Sequence, residues 1–227
     1  MDKFEQLKSL LKPGDVITNA GGISIWYKPW TLVLNKSIQG FQKKLFGKES
    51  NYMPTHAMLY FAPDKVFSMT TPHCKWETLE DRAKTGFIVY RYRPQTYSDQ
   101  HLEIMRQAAD EMIGMPYDYG DLLDFMINGL LGYTSVRKIR WFEFSRQKMI
   151  CSTAVRTIQE KLRKTLEAEG DFSFPRLFNQ LNPAKWPTEE VAKFVRTDVE
   201  MTTPAHYANS AWFENEFERI CSWPDFE

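Results

Sequence analysis

The stretch Met149-Ile150-Cys151-Ser152-Thr153-Ala154-Val155-Arg156-Thr157-Ile158 reads as a cysteine in the first turn of an amphipathic helix. Apolar residues recur at Val155, Ile158, Leu162 and Leu166, so one face is buried from Cys151 onward. A thiol there meets the free N–H groups of the first turn and the positive end of the helix dipole. Both favour the thiolate, the reactive form of cysteine. The expectation is that Cys151 is a nucleophile and that the chain before it delivers an imidazole, His56, to the thiol. A lone cysteine at a helix start is also a common small buried hydrophobe, so the helix by itself does not decide.

Working outward, Thr55-His56-Ala57-Met58-Leu59-Tyr60-Phe61 has the length and composition of a strand. Ala62-Pro63-Asp64-Lys65 turns the chain, and Lys65-Val66-Phe67-Ser68-Met69-Thr70 returns as the second arm of a hairpin. His56 and Ser68 lie near the open ends of the two arms, so pairing makes them neighbours. Gly86 to Arg93 alternates from Ile88 and is the clearest strand in the chain. Residues 2–12 predict a short helix with Phe4, Leu7, Leu10 and Leu11 inward, ended by Lys12-Pro13-Gly14-Asp15. A strand over 15–18 follows. Ser98-Asp99 caps a helix to about Ile113, with Leu102, Met105, Ala109, Met112 and Ile113 inward, and Gly114-Met115-Pro116 breaks it. Trp76 to Asp81 leads into a short helical turn. Further helices are predicted within 30–46, around Leu122–Leu131 and from Pro187 to about Val195, with a strand near Val199–Thr202.

The 227 residues suit a single domain, 1–227, with a peripheral C-terminal extension from about 171. Lys plus Arg equals Asp plus Glu at 29 each, and this balance argues against a dedicated nucleic-acid binder. The basic amphipathic segment 30–46 suits contact with a membrane surface, although a helix packed on its own sheet is the commoner use of such a pattern. The basic aromatic run 137–148 suits RNA or a membrane, with a short half-exposed helix leading into the Cys151 helix the commoner reading in a chain of neutral balance. The first residues carry no apolar core of signal-peptide length, and no run of apolar residues is long enough to span a bilayer. Three widely spaced cysteines, Cys74, Cys151 and Cys221, do not form a disulfide framework. A reducing, cytoplasmic setting follows as the expectation.

A cysteine nucleophile needs an imidazole to take the thiol proton and return it to the leaving group, a polar group to orient the ring, and donors for the oxyanion. Three cysteines and four histidines allow many pairings, and position selects among them. His56 opens a strand and Cys151 opens a helix, elements whose ends converge at clefts. His101 falls at an exposed helix start, His206 in an irregular tail, and His73 in a turn beside Cys74. No CxxC or HxxxH spacing is present, so no metal or other cofactor is expected.

Taken in order, Pro13-Gly14-Asp15-Val16-Ile17, Thr55 to Tyr60, Val66 to Thr70, Gly114-Met115-Pro116-Tyr117-Asp118-Tyr119 and Ile150 to Val155 resemble the permuted papain-like (YiiX/YaeF-type) branch of the NlpC-type cysteine peptidase superfamily. In that branch the histidine strand precedes the cysteine helix. The resemblance implies an α+β, papain-like fold with an antiparallel sheet packed against the nucleophile helix. It implies Cys151 as nucleophile, His56 as general base and acid, and Tyr117 as an active-site tyrosine that helps the Cys151 N–H stabilise an oxyanion. The relatives usually carry a glutamate on the second hairpin strand to orient the histidine. Here Ser68 stands at that position, with Thr70 a weaker candidate on the same face. A serine accepts the imidazole N–H but brings no charge.

The implied activity is a cysteine hydrolase cleaving amide bonds, in peptides or cell-wall-type peptides, through an acyl-enzyme. A lipid-directed acyltransferase or lipase of the same fold is the first alternative. A catalytically weak binding module is the second, and the serine at position 68 is its best support. The partner is accordingly a peptide, amide or acyl-lipid substrate.

Overall fold

The computed structural model describes residues 2–19, 36, 38–40, 42–43, 54–70, 72–84, 86–93, 97–120, 149–178, 202–209 and 215–224. The elements predicted within 30–46, at 122–131, at 137–148, from Pro187 and near 199–202 lie wholly or largely outside these residues.

Helix α1 (Lys3–Leu10) buries Leu7 and ends where Gly14 turns the chain with φ +91°. A Cβ at Gly14 would stand 2.4 Å from the Tyr97 ring, so the position needs glycine for both conformation and space. Asp15, next in line, accepts from the Lys12 N–H and holds Arg91 through both carboxylate oxygens at 2.8 and 2.7 Å. This fork ties the turn after α1 to the strand Phe87–Tyr92.

The sheet contains β1 (Val16–Asn19), β2 (His56–Phe61), β3 (Lys65–Met69), β4 (Cys74–Thr78), β5 (Phe87–Tyr92) and β6 (Phe217–Trp223) in the order β4-β3-β2-β1-β5-β6. Every neighbouring pair is antiparallel. On one face, Val16, Ala57, Leu59, Phe61, Phe67, Met69, Tyr90 and Tyr92 pack beneath α3 (Asp99–Asp110) and α4 (Cys151–Ala168). On the other, Ile17, Met58, Tyr60, Val66 and Val89 meet α1 and α2 (Leu79–Ala83). The alternation of side chains along β2 decides this partition. The molecule is thus α+β, with an antiparallel sheet against the helix that begins at Cys151.

Several expectations shift. Leu10 and Ile113, expected inward, are 43% and 41% exposed. Leu10 sits in the last turn of α1, where the helix leaves the sheet. Helix α3 ends at Asp110, and Ile113 follows in a turn closed by its N–H to the Asp110 carbonyl. Trp76 and Glu77 belong to β4, a strand in which Cys74 and Trp76 alternate with Lys75 and Glu77, rather than to a lead into a helix. The segment from about 171, expected to be peripheral, carries Phe174, Leu177 and Phe178 into the main core. Helix α5 (Pro204–Ala208) adds Tyr207, and β6 closes one edge of the sheet. Among the described residues, no helix is long and apolar enough to cross a membrane.

Ile158 is fully buried between α4 and the sheet. Ile158→Ala is expected to cost about 2–5 kcal/mol of stability, and Leu10→Ala no more than about 0.5 kcal/mol. Urea unfolding of the two variants measures the contrast, and equal losses would contradict this assignment of faces.

Candidate active site

Strand β3 pairs with β2 only from Leu59 to Phe61. Towards the amino end of β2 the two strands part, while β1 keeps its pairing through to His56. Cys151 enters at this split. Its Sγ lies 3.9 Å from the Thr55 carbonyl, with the thiol as donor, and it accepts from the Ala57 N–H. The thiol therefore sits against the peptide groups immediately before and after His56. Its own N–H and the Ser152 N–H also face the sulfur, as expected at the start of a helix, while the Ser152 hydroxyl donates to the Thr202 carbonyl.

Tyr117 is brought to the same place by a bridge of backbone hydrogen bonds. Cys74 N–H donates to Met115 and Gly114 N–H to Cys74, which fastens 114–115 to the start of β4. Tyr117 N–H donates to Pro72, and Asp118 N–H donates to Met149, two residues before the thiol. The Tyr117 hydroxyl consequently meets the Cys151 thiol. Burial first, and this neighbour second, push the phenol well above its usual range. It remains a neutral donor at physiological pH.

His56 Nε2 lies 3.0 Å from Ser68 Oγ, so the hairpin does bring these two residues together. Alternation sends His56 to the Met58 and Tyr60 side of the sheet and Ala57 to the helix side. Among the described residues, no hydrogen bond joins the thiol to the imidazole. His73 and His101 lie elsewhere, the second in the capping box of α3. His206 is 2% exposed and caps α5 through Thr203. Glu77 was not singled out from the sequence. It lies on β4 on the Ser68 side of the sheet, where its carboxylate is held by Lys75 and Arg82.

The electrostatics reverse one sequence expectation. Burial pushes the Cys151 thiol up, and the surrounding N–H donors only partly oppose it. The helix start alone would give a thiolate; desolvation outweighs it. Burial, aided by Arg82 and opposed by Glu77, pulls His56 down to about 3. At neutral pH the resting pair is a thiol and an uncharged imidazole.

Among the described residues, no three His, Cys, Asp or Glu side chains converge to hold a metal ion. No protein-family model matches the chain, and no curated protein does. Among solved structures it is similar to the crystal structure of the metalloprotein yiiX from Escherichia coli O157:H7. The TM-score is 0.49 and the identity 15%, over 94% of this chain and 98% of that one.

The His56 shift fixes a sign for stability. With a folded value near 3 and an ordinary value of 6.5, the unfolded chain binds the extra proton between them. Stability is therefore full above about 6.5 and falls as pH drops towards 3. His206, also held near 3 chiefly by burial, acts in the same direction. Denaturant midpoints at pH 7 and pH 5 should show a loss at pH 5, and His56→Gln should shrink that loss. An unchanged loss in the variant would mean that His56 is not held neutral.

Proposed function

We propose that this protein is a cysteine-nucleophile hydrolase of permuted papain-like organisation, cleaving an amide bond through an acyl-enzyme on Cys151. The observation that carries the reading is the seat of the thiol: first turn of α4, against the Ala57 N–H, with the Tyr117 hydroxyl beside it, at the strand position occupied by His56. The sequence order of histidine strand before cysteine helix supports the permuted arrangement.

In this mechanism the His56 ring turns from Ser68 around the amino end of β2 to the thiol, and the neutral imidazole takes the thiol proton as sulfur attacks the substrate carbonyl. A preformed ion pair is not needed. The Cys151 N–H and the Tyr117 hydroxyl donate to the oxygen as it gains charge. Collapse breaks the C–N bond, and the amine leaves with the proton held by His56. Water then gives a proton to His56 and attacks the thioester; sulfur departs and is reprotonated. Esters and acyl-lipids fit the same steps, with an alcohol in place of the amine.

A second reading is favoured by one set of observations. The thiol is 3% exposed, burial holds it protonated, and it makes no hydrogen bond to the imidazole. A binding module with an inert cysteine would look the same at rest.

Intact-protein mass spectrometry after exposure to activated amide and ester substrates, and to phosphatidylcholine vesicles, separates the readings. An acyl adduct on Cys151, absent in Cys151→Ser, is expected. His56→Ala should slow its formation by about 10²–10⁴-fold, the usual contribution of a general base. Transfer from vesicles but not from amides would make the substrate a lipid. If Cys151 reacts with iodoacetamide no faster than Cys74 and Cys221, the thiols that burial raises to about 12 and about 11, the binding module leads.

A further inference from the structure

Gln42 is fully buried, and both polar atoms of its amide are bound. Its Nε2 donates to the Pro54 carbonyl at 2.8 Å, and its Oε1 accepts from the Ala205 N–H at 2.7 Å. The partners fix the amide, since a carbonyl only accepts and a peptide N–H only donates. Pro54 stands two residues before His56, at the entrance to β2. Ala205 lies in the first turn of α5, where an N–H has no acceptor within its own helix. Three residues earlier, the Thr202 carbonyl accepts from the Ser152 hydroxyl at 2.5 Å, and Ser152 follows the thiol in sequence. Gln42 therefore joins the histidine side of the cleft to the cysteine side through the buried residues 202–205.

We propose that Gln42 is a positioning residue, a clamp that keeps the entrance of β2 in register with Cys151 once the thiol has given up its hydrogen. The two sides meet directly where the thiol donates to the Thr55 carbonyl at 3.9 Å. That contact needs the thiol hydrogen, which the imidazole removes as sulfur attacks. A thiolate or an acylated sulfur has no hydrogen to give. The Thr55 carbonyl thus loses this donor at the step where His56 has to stay close to the sulfur. The clamp does not use that hydrogen. Its three bonds, Ser152 to Thr202, Ala205 to Gln42 and Gln42 to Pro54, measure 2.5, 2.7 and 2.8 Å and join neutral groups, so they persist through acylation. The Thr55 N–H, bound to the Asn19 carbonyl at 2.8 Å, reports whether the entrance stays closed. The clamp stands independently of any reaction; its part in turnover rests on the hydrolase reading above.

Amide hydrogen exchange at Thr55, read by NMR of the full chain, tests the clamp without a substrate. Cys151→Ala removes the thiol donor, Gln42→Met removes the amide at nearly constant volume, and the double variant removes both. The losses should be non-additive: Thr55 in the double variant should exchange about fivefold faster than the product of the single effects, the worth of one neutral hydrogen bond. In turnover, Gln42→Met should slow acylation of Cys151 by about 10–10²-fold at unchanged KM, the signature of misplaced reacting groups. Gln42→Glu should recover the rate relative to native as pH falls, because the protonated carboxyl again donates to Pro54 and accepts from Ala205, whereas the ionised form can only accept. A residue that merely stabilises the fold would move neither the KM split nor this pH profile. Should Gln42→Met fail to fold, Ser152→Ala opens the same clamp from the other side for the loss of one atom, and the same coupling is expected. Simply additive exchange rates, or a folded Gln42→Met that acylates at the native rate, overturn the clamp. If exchange shows the coupling but no substrate acylates native Cys151, the clamp stands and the hydrolase reading falls.

Discussion

The amino end of β2 is paired on one side only, and buried peptide groups must still find partners. Beyond Leu59 the neighbouring strand has turned away. The Thr55 carbonyl and the Ala57 N–H are satisfied instead by a sulfur atom from the first turn of α4. A single accommodation thus fixes where α4 begins relative to the sheet. Val155, Ile158, Leu162 and Leu166 then run down the same core cluster as Leu59, Phe61 and Phe67. The bridge from Cys74 through Met115 to Met149 seals the opening from the other side.

The same split divides the labour between the two faces of the sheet. The helix face holds sulfur, phenol and backbone donors. The opposite face holds imidazole, hydroxyl, carboxylate and guanidinium. Desolvation governs both groups, raising the thiol and depressing the imidazole, so charge is stored one strand away in the Glu77–Arg82–Lys75 cluster. A half-buried carboxylate paired with two cations costs less than an isolated ion beside the sulfur would.

Much of this was legible from the residues. The period of α4, the hairpin and its His56–Ser68 proximity, and the strand over 87–92 all follow from patterns that a single face of burial imposes. Helix limits at Leu10 and Ile113 were misjudged because an apolar residue in a last turn or a following turn has no fixed face. β4 was missed because Glu77 and Thr78 lead straight into the capped turn at Leu79, and Thr78 does cap it. The thiolate expectation failed because a helix start is visible in sequence, but the degree of desolvation around it is a property of the whole packed core.

The order in which these pieces lie along the chain has a kinetic consequence. His56, Ser68, Glu77 and Arg82 belong to one local meander, β2-β3-β4-α2, whose contacts close short loops. Cys151 reaches Thr55 only by closing a loop of 96 residues. Short loops close early and long ones late. Loop length alone therefore favours assembly of the ring and its neighbours before the sulfur docks.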